Sequence, residues 1–153
     1  MPVQTTYNSQ LAPAYEGMIA NSEPHRIVSK QVESAAGIGF GKVTVQGTAD
    51  DQIRVSEVTR RFRGLTEASH IGGGLATLDS YEQYQTVPVM VEGVMWVMAS
   101  VAVNPGDLVY YVPATGVLTN VATSNTQIPN AIWESSTTGA GLAKVRLGGG
   151  ATA

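Results

Sequence analysis

Three stretches within residues 26–65 are rich in strand-forming residues: RIVSKQV, IGFGKVTVQG and DQIRVSEVTRRF. The last two alternate valine or isoleucine with polar residues, as half-buried strands do. Asp50 and Asp51 mark a turn between these two stretches. The stretch that follows, GLTEASHIGGG at residues 64–74, has no periodicity and is expected to form a flexible loop.

The most apolar part of the chain is TVPVMVEGVMWVMASVAV, residues 86–103. Beyond Gly93 it is apolar on both faces, which predicts one central strand or a strand pair broken at Glu92 and Gly93. Pro88, Glu92, Gly93 and Ser100 interrupt it, so it falls short of the ~20 clean apolar residues that a membrane helix needs. We therefore expect no membrane partner.

A punctuated hairpin, VNPGDLVYYVPATGVLT, follows at residues 103–119. Pro105 and Gly106 suit the central positions of a type II turn, and Pro113 with Gly116 suits a type I turn. Residues 108–112 between them are strand formers. Such a hairpin, nearly free of charge and of catalytic side chains, indicates a structural element.

Pattern and composition together predict an all-β fold, one domain with an N-terminal arm. Charged residues make up 14% of the chain, well below the usual ~25%, and turn-forming glycine is plentiful. We expect residues 1–24 to form the arm and residues 25–153 to form the β domain.

The arm is predicted to bury itself against a partner, because it carries few charges and several apolar side chains. These apolar residues are Tyr7, Leu11, Tyr15, Met18 and Ile19. A second interpretation stays open, in which this segment is the first strand of the chain's own domain.

Charge and composition exclude several function classes. The net charge is −3 and the chain has no cysteine, so neither a general attraction to nucleic acid nor a thiolate nucleophile is expected. The start of the chain lacks the basic region and apolar block of a secretory signal. Nucleic acid is therefore not a predicted partner.

Candidate chemistry is sparse, and the sequence predicts no enzyme, no cofactor and no metal site. GIGFGK at residues 37–42 fails the phosphate-loop spacing, because Ala36 stands where a glycine is needed and Val43 where serine or threonine is needed. His25 and His70 have no other ligand at helical or hairpin spacing. The acidic pairs Asp50–Asp51 and Asp79–Glu82 are expected to be solvated turn residues.

One basic cluster stands out, formed by Arg60, Arg61 and Arg63 around Phe62. We expect these arginines to pair with carboxylates of a neighbouring subunit or of the same chain. Stacking on a nucleic-acid base is the alternative.

The two tryptophans receive different predictions. Trp96 lies in the most apolar segment and is expected in the core. For Trp133 both the core and a subunit contact are open. The tyrosines and tryptophans together also permit a sugar-binding platform.

In the order of these features the chain resembles the cement, or head decoration, proteins of tailed-bacteriophage capsids. The resemblance rests on TTYNSQLAPAYEGMIANSEPHRIVSKQVE, then GIGFGKVTVQG, the glycine loop, and YEQYQTVPVMVEGVMWVMASVAVNPGDLVYYVPATGVLT. It implies a compact β-barrel or β-sandwich domain with an extended N-terminal arm, and no catalysis. It also implies homotrimers at three-fold positions outside the shell, where they clamp neighbouring major capsid proteins.

The resemblance also implies the partners of the protein and its location. The partners are the major capsid protein and the chain itself, and the place is the capsid surface of a virion assembled in the bacterial host cytoplasm. Candidate contact residues are Tyr7, Leu11, Tyr15, Arg60, Arg61 and Arg63. The rival interpretations are a trimeric β-barrel nucleotide hydrolase, whose motifs are missing here, and a receptor- or carbohydrate-binding module of a phage tail.

Overall fold

The computed structural model describes residues 14–69 and 79–148 of the chain. These residues form eleven strands, and none of them lies in a helix that is long and apolar enough to cross a membrane. The strands are β1 (Arg26–Val32), β2 (Ile38–Gly39), β3 (Val43–Gln46), β4 (Gln52–Val55), β5 (Phe62–Thr66), β6 (Ser80–Tyr81), β7 (Thr86–Ala99), β8 (Leu108–Tyr111), β9 (Leu118–Thr119), β10 (Thr126–Trp133) and β11 (Gly141–Gly148).

Nine of these strands form one sheet that closes on β7. The hydrogen-bonded order is β1-β4-β3-β5-β7-β11-β10-β8-β9, and β7 also pairs with β1 and with β9. One ring of strands therefore runs β1-β4-β3-β5-β7 and a second runs β7-β11-β10-β8-β9. Closure leaves few free strand edges, which confirms the predicted all-β fold in its barrel form. The short strands β2 and β6 pair separately.

The pairing of the long strand β7 explains why its sequence is apolar on both faces. It pairs with β1 and β5 along its first half and with β11 along its second half. The register with β1 shifts between Ile27 and Arg26, so that Val91 is the extra residue of a bulge. Gly93 does not break the strand. It has a φ of 127°, and a Cβ at this position would lie 2.6 Å from the Cβ of His25, so only glycine fits here.

Two clusters of buried side chains form the core. The larger one lies between β7, β8, β10 and β11 and includes Met95, Val97, Tyr111, Ile128 and Trp133. The smaller one joins β1, β4 and the first half of β7 to the β2–β6 pair. In the smaller cluster the rings of Phe40 and Tyr81 meet with their centroids 5.0 Å apart.

Two sequence predictions need correction. Residues 64–66 are not loop: Gly64, Leu65 and Thr66 are the buried end of β5, and Gly64 fits there because a Cβ would lie 2.4 Å from the carbonyl oxygen of Met90. Trp96 is only partly buried, since the sheet covers one side of it and the Lys144 ammonium lies 5.5 Å from its ring centroid. Trp133 is the fully buried tryptophan.

The predicted hairpin turns are present. Gly106 has a φ of 92° and Gly116 a φ of 71°, as a type II turn and a glycine-closed turn require. The backbone N–H of Gly106 donates to the carbonyl of Trp133 at 2.8 Å. The Asp107 carboxylate accepts bonds from the Asn104 N–H and the Asn120 side chain, which lower its pKa.

Replacing Gly106 by valine is expected to cost about 1–3 kcal/mol of unfolding free energy, because a side chain with a branched β-carbon is strained at this φ. No atom lies within 4 Å of a Cβ built there, so the expected loss comes from the backbone and not from a clash. Urea denaturation measures it. Gly139→Val, which also enters open space but at an ordinary φ, is the matched control. Equal midpoints for the two variants would contradict the turn assignment.

Candidate functional site

The structure places the predicted contact residues in three different situations. Tyr7 and Leu11 lie outside the described residues. Tyr15 is described and 47% exposed. The three arginines lie around the start of β5, far along the chain from Tyr15.

Only one of the three arginines has an ion pair among the residues that the structure describes. The Arg60 Nε lies 2.8 Å from a carboxylate oxygen of Glu57, which also pairs with Arg54. Arg60 further donates to the carbonyl of Gln46. Arg61 and Arg63 are exposed, and no ion pair ties either of them to the described part of the chain. The prediction of a pair within the same chain therefore holds for Arg60, and a subunit pair stays a prediction for the other two.

The second half of the predicted arm is fastened to the sheet. The N–H groups of Gly17 and Ala20 donate to β7 carbonyls at 2.8 Å, and Ile19 forms a bridge with Met95. Gly17 lies so close to Gly41 that a Cβ on Gly17 would be 2.8 Å from the Gly41 nitrogen. The Lys42 ammonium pairs with the Glu16 carboxylate at 2.6 Å. These contacts hold residues 16–20 against the sheet.

A second anchor follows at Glu23. The guanidinium of Arg146 on β11 donates to both carboxylate oxygens of Glu23, at 2.5 and 3.1 Å, and its Nε donates to Glu134. The bonds from Arg146 lower the pKa of Glu23, and the two carboxylates raise that of Arg146. The fork therefore holds the segment before β1 against the second ring of strands.

This anchor predicts a pH dependence. A carboxyl whose pKa is lowered by folding stabilises the protein above its unfolded pKa, and that contribution is lost as the pH falls through the folded value. The urea midpoint of the parent chain should therefore fall between about pH 7 and about pH 3. We expect a smaller fall in Glu23→Gln, where Glu33 and Asp107, whose pKa values are also lowered, still contribute. Identical pH profiles for the two chains would contradict the assignment.

An exposed apolar surface surrounds Lys42 and was not predicted from the sequence. Three concavities of about 180, 220 and 330 Å³ share Lys42 in their walls. Their rims carry four side chains that are between 43% and 47% exposed: Tyr15, Val55, Met98 and Val117. We call this surface the Lys42 face. Among the apolar side chains of this face, only Tyr15 was a predicted contact residue. Met98 was not predicted, because it lies in a run that is apolar on both faces, and the sequence there does not show which side chains remain exposed.

The structure places several of the chemical groups that the sequence singled out. No group of three or more histidine or acidic residues within residues 14–69 and 79–148 could hold a metal ion. Asp51 pairs with Lys30, and the Nδ1 of His25 lies 3.0 Å from the carbonyl oxygen of Glu23. His70 lies outside the described residues. The chain after Lys42 forms β3 and not a helix, so residues 37–42 lack the helix start of a phosphate loop.

Burial shifts the pKa values of two groups near the end of β5. Burial raises the pKa of Tyr81 to about 12, and its hydroxyl donates to the carbonyl of Glu67 at 2.6 Å. Burial also raises the pKa of the Glu67 carboxyl. Tyr81 thereby joins the β2–β6 pair to the residue that follows β5, and its buried hydroxyl has a hydrogen-bond partner.

A family model described as structural cement protein (E217 gp24/Pam3 gp6) matches residues 3–148 of the chain. The chain belongs to this phage cement family. The membership confirms the resemblance drawn from the sequence and the expected role as a structural virion protein. The family is described as structural and not as enzymatic. The match includes most of the predicted arm as well as the sheet.

Solved structures were compared with the fold, and curated proteins with the sequence. The fold is similar to that of a chain in the capsid of Myoviridae phage XM1, with a TM-score of 0.77 and 16% identity over 97% of this chain and 98% of that one. The head fiber gp8.5 N base of bacteriophage phi29 gives a TM-score of 0.47 and 10% identity over 85% of this chain and 99% of that one. No curated protein matches the sequence. The similarity to the XM1 chain shows a shared fold.

Proposed function

We propose that this chain binds the outside of a phage capsid as a homotrimer at three-fold positions and clamps neighbouring major capsid proteins. It has no enzymatic activity in this role, and it joins virions that assemble in the host cytoplasm. The observation that carries the proposal is the family match over residues 3–148. The proposed partners do not include nucleic acid or a membrane. The proposed function also differs from the two rival functions, a nucleotide hydrolase and a receptor-binding module of a tail.

A clamp of this kind stabilises the shell by mass action. If it binds the assembled shell and not dissociated capsid proteins, it contributes RT ln(1 + [L]/Kd), or about 2.7 kcal/mol at a hundredfold excess over Kd. Three linked copies that touch different shell subunits raise the effective concentration, so weak contacts suffice for retention. Small patches such as the Lys42 face and the exposed arginines fit this arrangement.

Arg61 and Arg63 are proposed to contact the shell or a neighbouring subunit. Both are exposed next to Phe62, whose ring packs against the larger core cluster and fixes their backbone. Charge and position thus make them available for acidic partners, in contrast to Arg60, which Glu57 already holds. Residues 1–13, with Tyr7 and Leu11, are proposed to contact a partner as well.

The double variant Arg61→Glu with Arg63→Glu tests the arginine contact. Exposed ion pairs contribute about 0.2–1 kcal/mol each, so the loss of two pairs should weaken binding to capsids lacking the protein by roughly 2- to 30-fold. Cosedimentation at several salt concentrations measures this loss and its screening.

The control is Arg61→Lys with Arg63→Lys, which keeps both charges and should retain most of the binding. Unchanged binding of the glutamate variant would remove the arginines from the contact. If neither variant nor the parent chain cosediments with capsids, the proposed function itself is wrong.

A further inference from the structure

Charged residues are distributed unevenly between the two rings of strands. Of the nine basic and twelve acidic residues, fourteen lie in residues 25–82, which include four of the five strands of the first ring. Residues 108–133, which form β8, β9 and β10 of the second ring, contain no charged residue. A stretch of this length ordinarily carries about six.

Burial does not account for this absence of charge. Twelve of the residues from 108 to 133 are exposed. Leu108 and Val121 among them are each 46% exposed, although both are large and apolar. An accessible surface that is depleted of charge but carries apolar side chains has the composition of the centre of a protein–protein interface.

The outward side of β8 and β10 shows this composition most clearly. Leu108 lies directly opposite Ile132, and Tyr110 lies directly opposite Gln127, so these four side chains share one side of the sheet. The alternate residues of β8 are buried in the larger core cluster, so the shared side points outward. We call this surface the β8–β10 face. An exposed leucine beside an isoleucine gives it an apolar centre.

The charged groups that border the β8–β10 face are already engaged within the chain. The Asp107 carboxylate accepts two hydrogen bonds. The Arg146 guanidinium, opposite Ile132 on the neighbouring strand, pairs with two carboxylates. The Lys144 ammonium lies 5.5 Å from the ring centroid of Trp96. A charged partner would have to compete for these groups, whereas an uncharged surface leaves no charge unpaired.

We infer that the β8–β10 face is the surface through which three copies of this chain meet around their three-fold axis. Near a rotation axis each residue approaches its own counterparts, so a charge there would face the same charge on the other copies. A charge-free face avoids this repulsion, whereas a contact with a different protein could pair each charge with an opposite one. The inference rests on the proposed homotrimer and identifies its contact surface. It leaves Arg61 and Arg63 on the first ring available to the shell.

Single cysteines test this contact in the full-length chain, which has no cysteine of its own. Leu108→Cys places a thiol on the β8–β10 face. Val58→Cys is the control, because Val58 is 57% exposed and lies between β4 and β5 of the first ring. With a short bifunctional maleimide we expect at least about tenfold more cross-linked dimer from Leu108→Cys, since assembly raises the local concentration of its thiols. Equal yields from the two variants would overturn the inference.

Insertion of a charge gives an independent test. Leu108→Asp places one carboxylate per copy around the axis, where like charges repel. Its self-association, measured by sedimentation velocity, should weaken at least about tenfold, whereas Val58→Asp should associate like the parent chain. A folded Leu108→Asp chain that associates as tightly as the parent would also overturn the inference, and urea denaturation shows whether it is folded. If it is not, the cysteine variants decide.

Cosedimentation of the parent chain with capsids separates this inference from the proposed function. Preferential cross-linking of Leu108→Cys on capsids supports both. Trimers that bind capsids without this preference reject the β8–β10 face alone, whereas a parent chain that does not bind capsids rejects the proposed function.

Discussion

Replacing Trp133 by alanine is expected to lower the free energy of unfolding by about 3–5 kcal/mol. Trp133 is fully buried on β10 in the larger core cluster. Its backbone also accepts from the N–H of Gly106 at 2.8 Å and donates to the carbonyl of Asp107 at 2.9 Å. The cavity left by the indole would thus open next to the turn that begins the hairpin. For a chain of this size the melting temperature should fall by roughly 6–20 °C.

A second substitution, Trp133→Phe, separates the cost of the cavity from the cost of removing the indole N–H. The Nε1 of Trp133 has no hydrogen-bond partner in the described part of the chain, so Trp133→Phe leaves no buried acceptor unsatisfied and should be much milder than Trp133→Ala. Trp96→Ala is the second comparison, because Trp96 is partly exposed. A Trp133→Ala chain that unfolds within about 1 kcal/mol of the parent would contradict its placement at the centre of the core.

Deleting residues 1–13 is expected to leave a folded protein that decorates capsids at least about tenfold more weakly, equivalent to ~1.4 kcal/mol per copy. Burial of side chains such as Tyr7 and Leu11 contributes ~1.5–3 kcal/mol each, from which the cost of ordering the arm is subtracted. The fold should be retained because the bonds of Gly17 and Ala20 to β7 and the bridge between Ile19 and Met95 stay in place. Urea denaturation and cosedimentation measure the two effects.

A longer deletion supplies the contrast. Removing residues 1–20 also takes away the bonds of Gly17 and Ala20 to β7 and the bridge between Ile19 and Met95. This deletion should destabilise the sheet as well as weaken capsid binding. If the shorter deletion binds capsids as tightly as the full chain, residues 1–13 are not a binding arm.

Local sequence patterns predicted the elements that depend on local chemistry. RIVSKQV became β1 with the same bounds, and the turns around Gly106 and Gly116 formed where glycine permits a positive φ. Residues 64–66 were wrongly assigned to a loop, because the stretch that begins at Gly64 shows no periodicity. Gly64 belongs to β5 since the β7 backbone passes too close for a Cβ, which is a contact between distant segments.

The candidate site could be predicted only in part for the same reason. Tyr15 and the arginines stood out because apolar residues in an arm and clustered charges are visible in the sequence. Met98 was hidden, since it lies in a strand that is apolar on both faces, and which residues stay exposed depends on where the rings of the sheet close. Likewise, the sequence does not show which of the three arginines pairs with Glu57. The structure shows that it is Arg60, and that Arg61 and Arg63 have no ion pair among the described residues.

The central claim, that the chain binds the capsid shell from outside, is tested most directly by electron microscopy of heads incubated with the full-length protein and of heads without it. The account predicts additional density on the outer surface at the three-fold positions, with three copies at each, and none on isolated tails. Density on tails, or heads that look the same with and without the protein, would contradict the account.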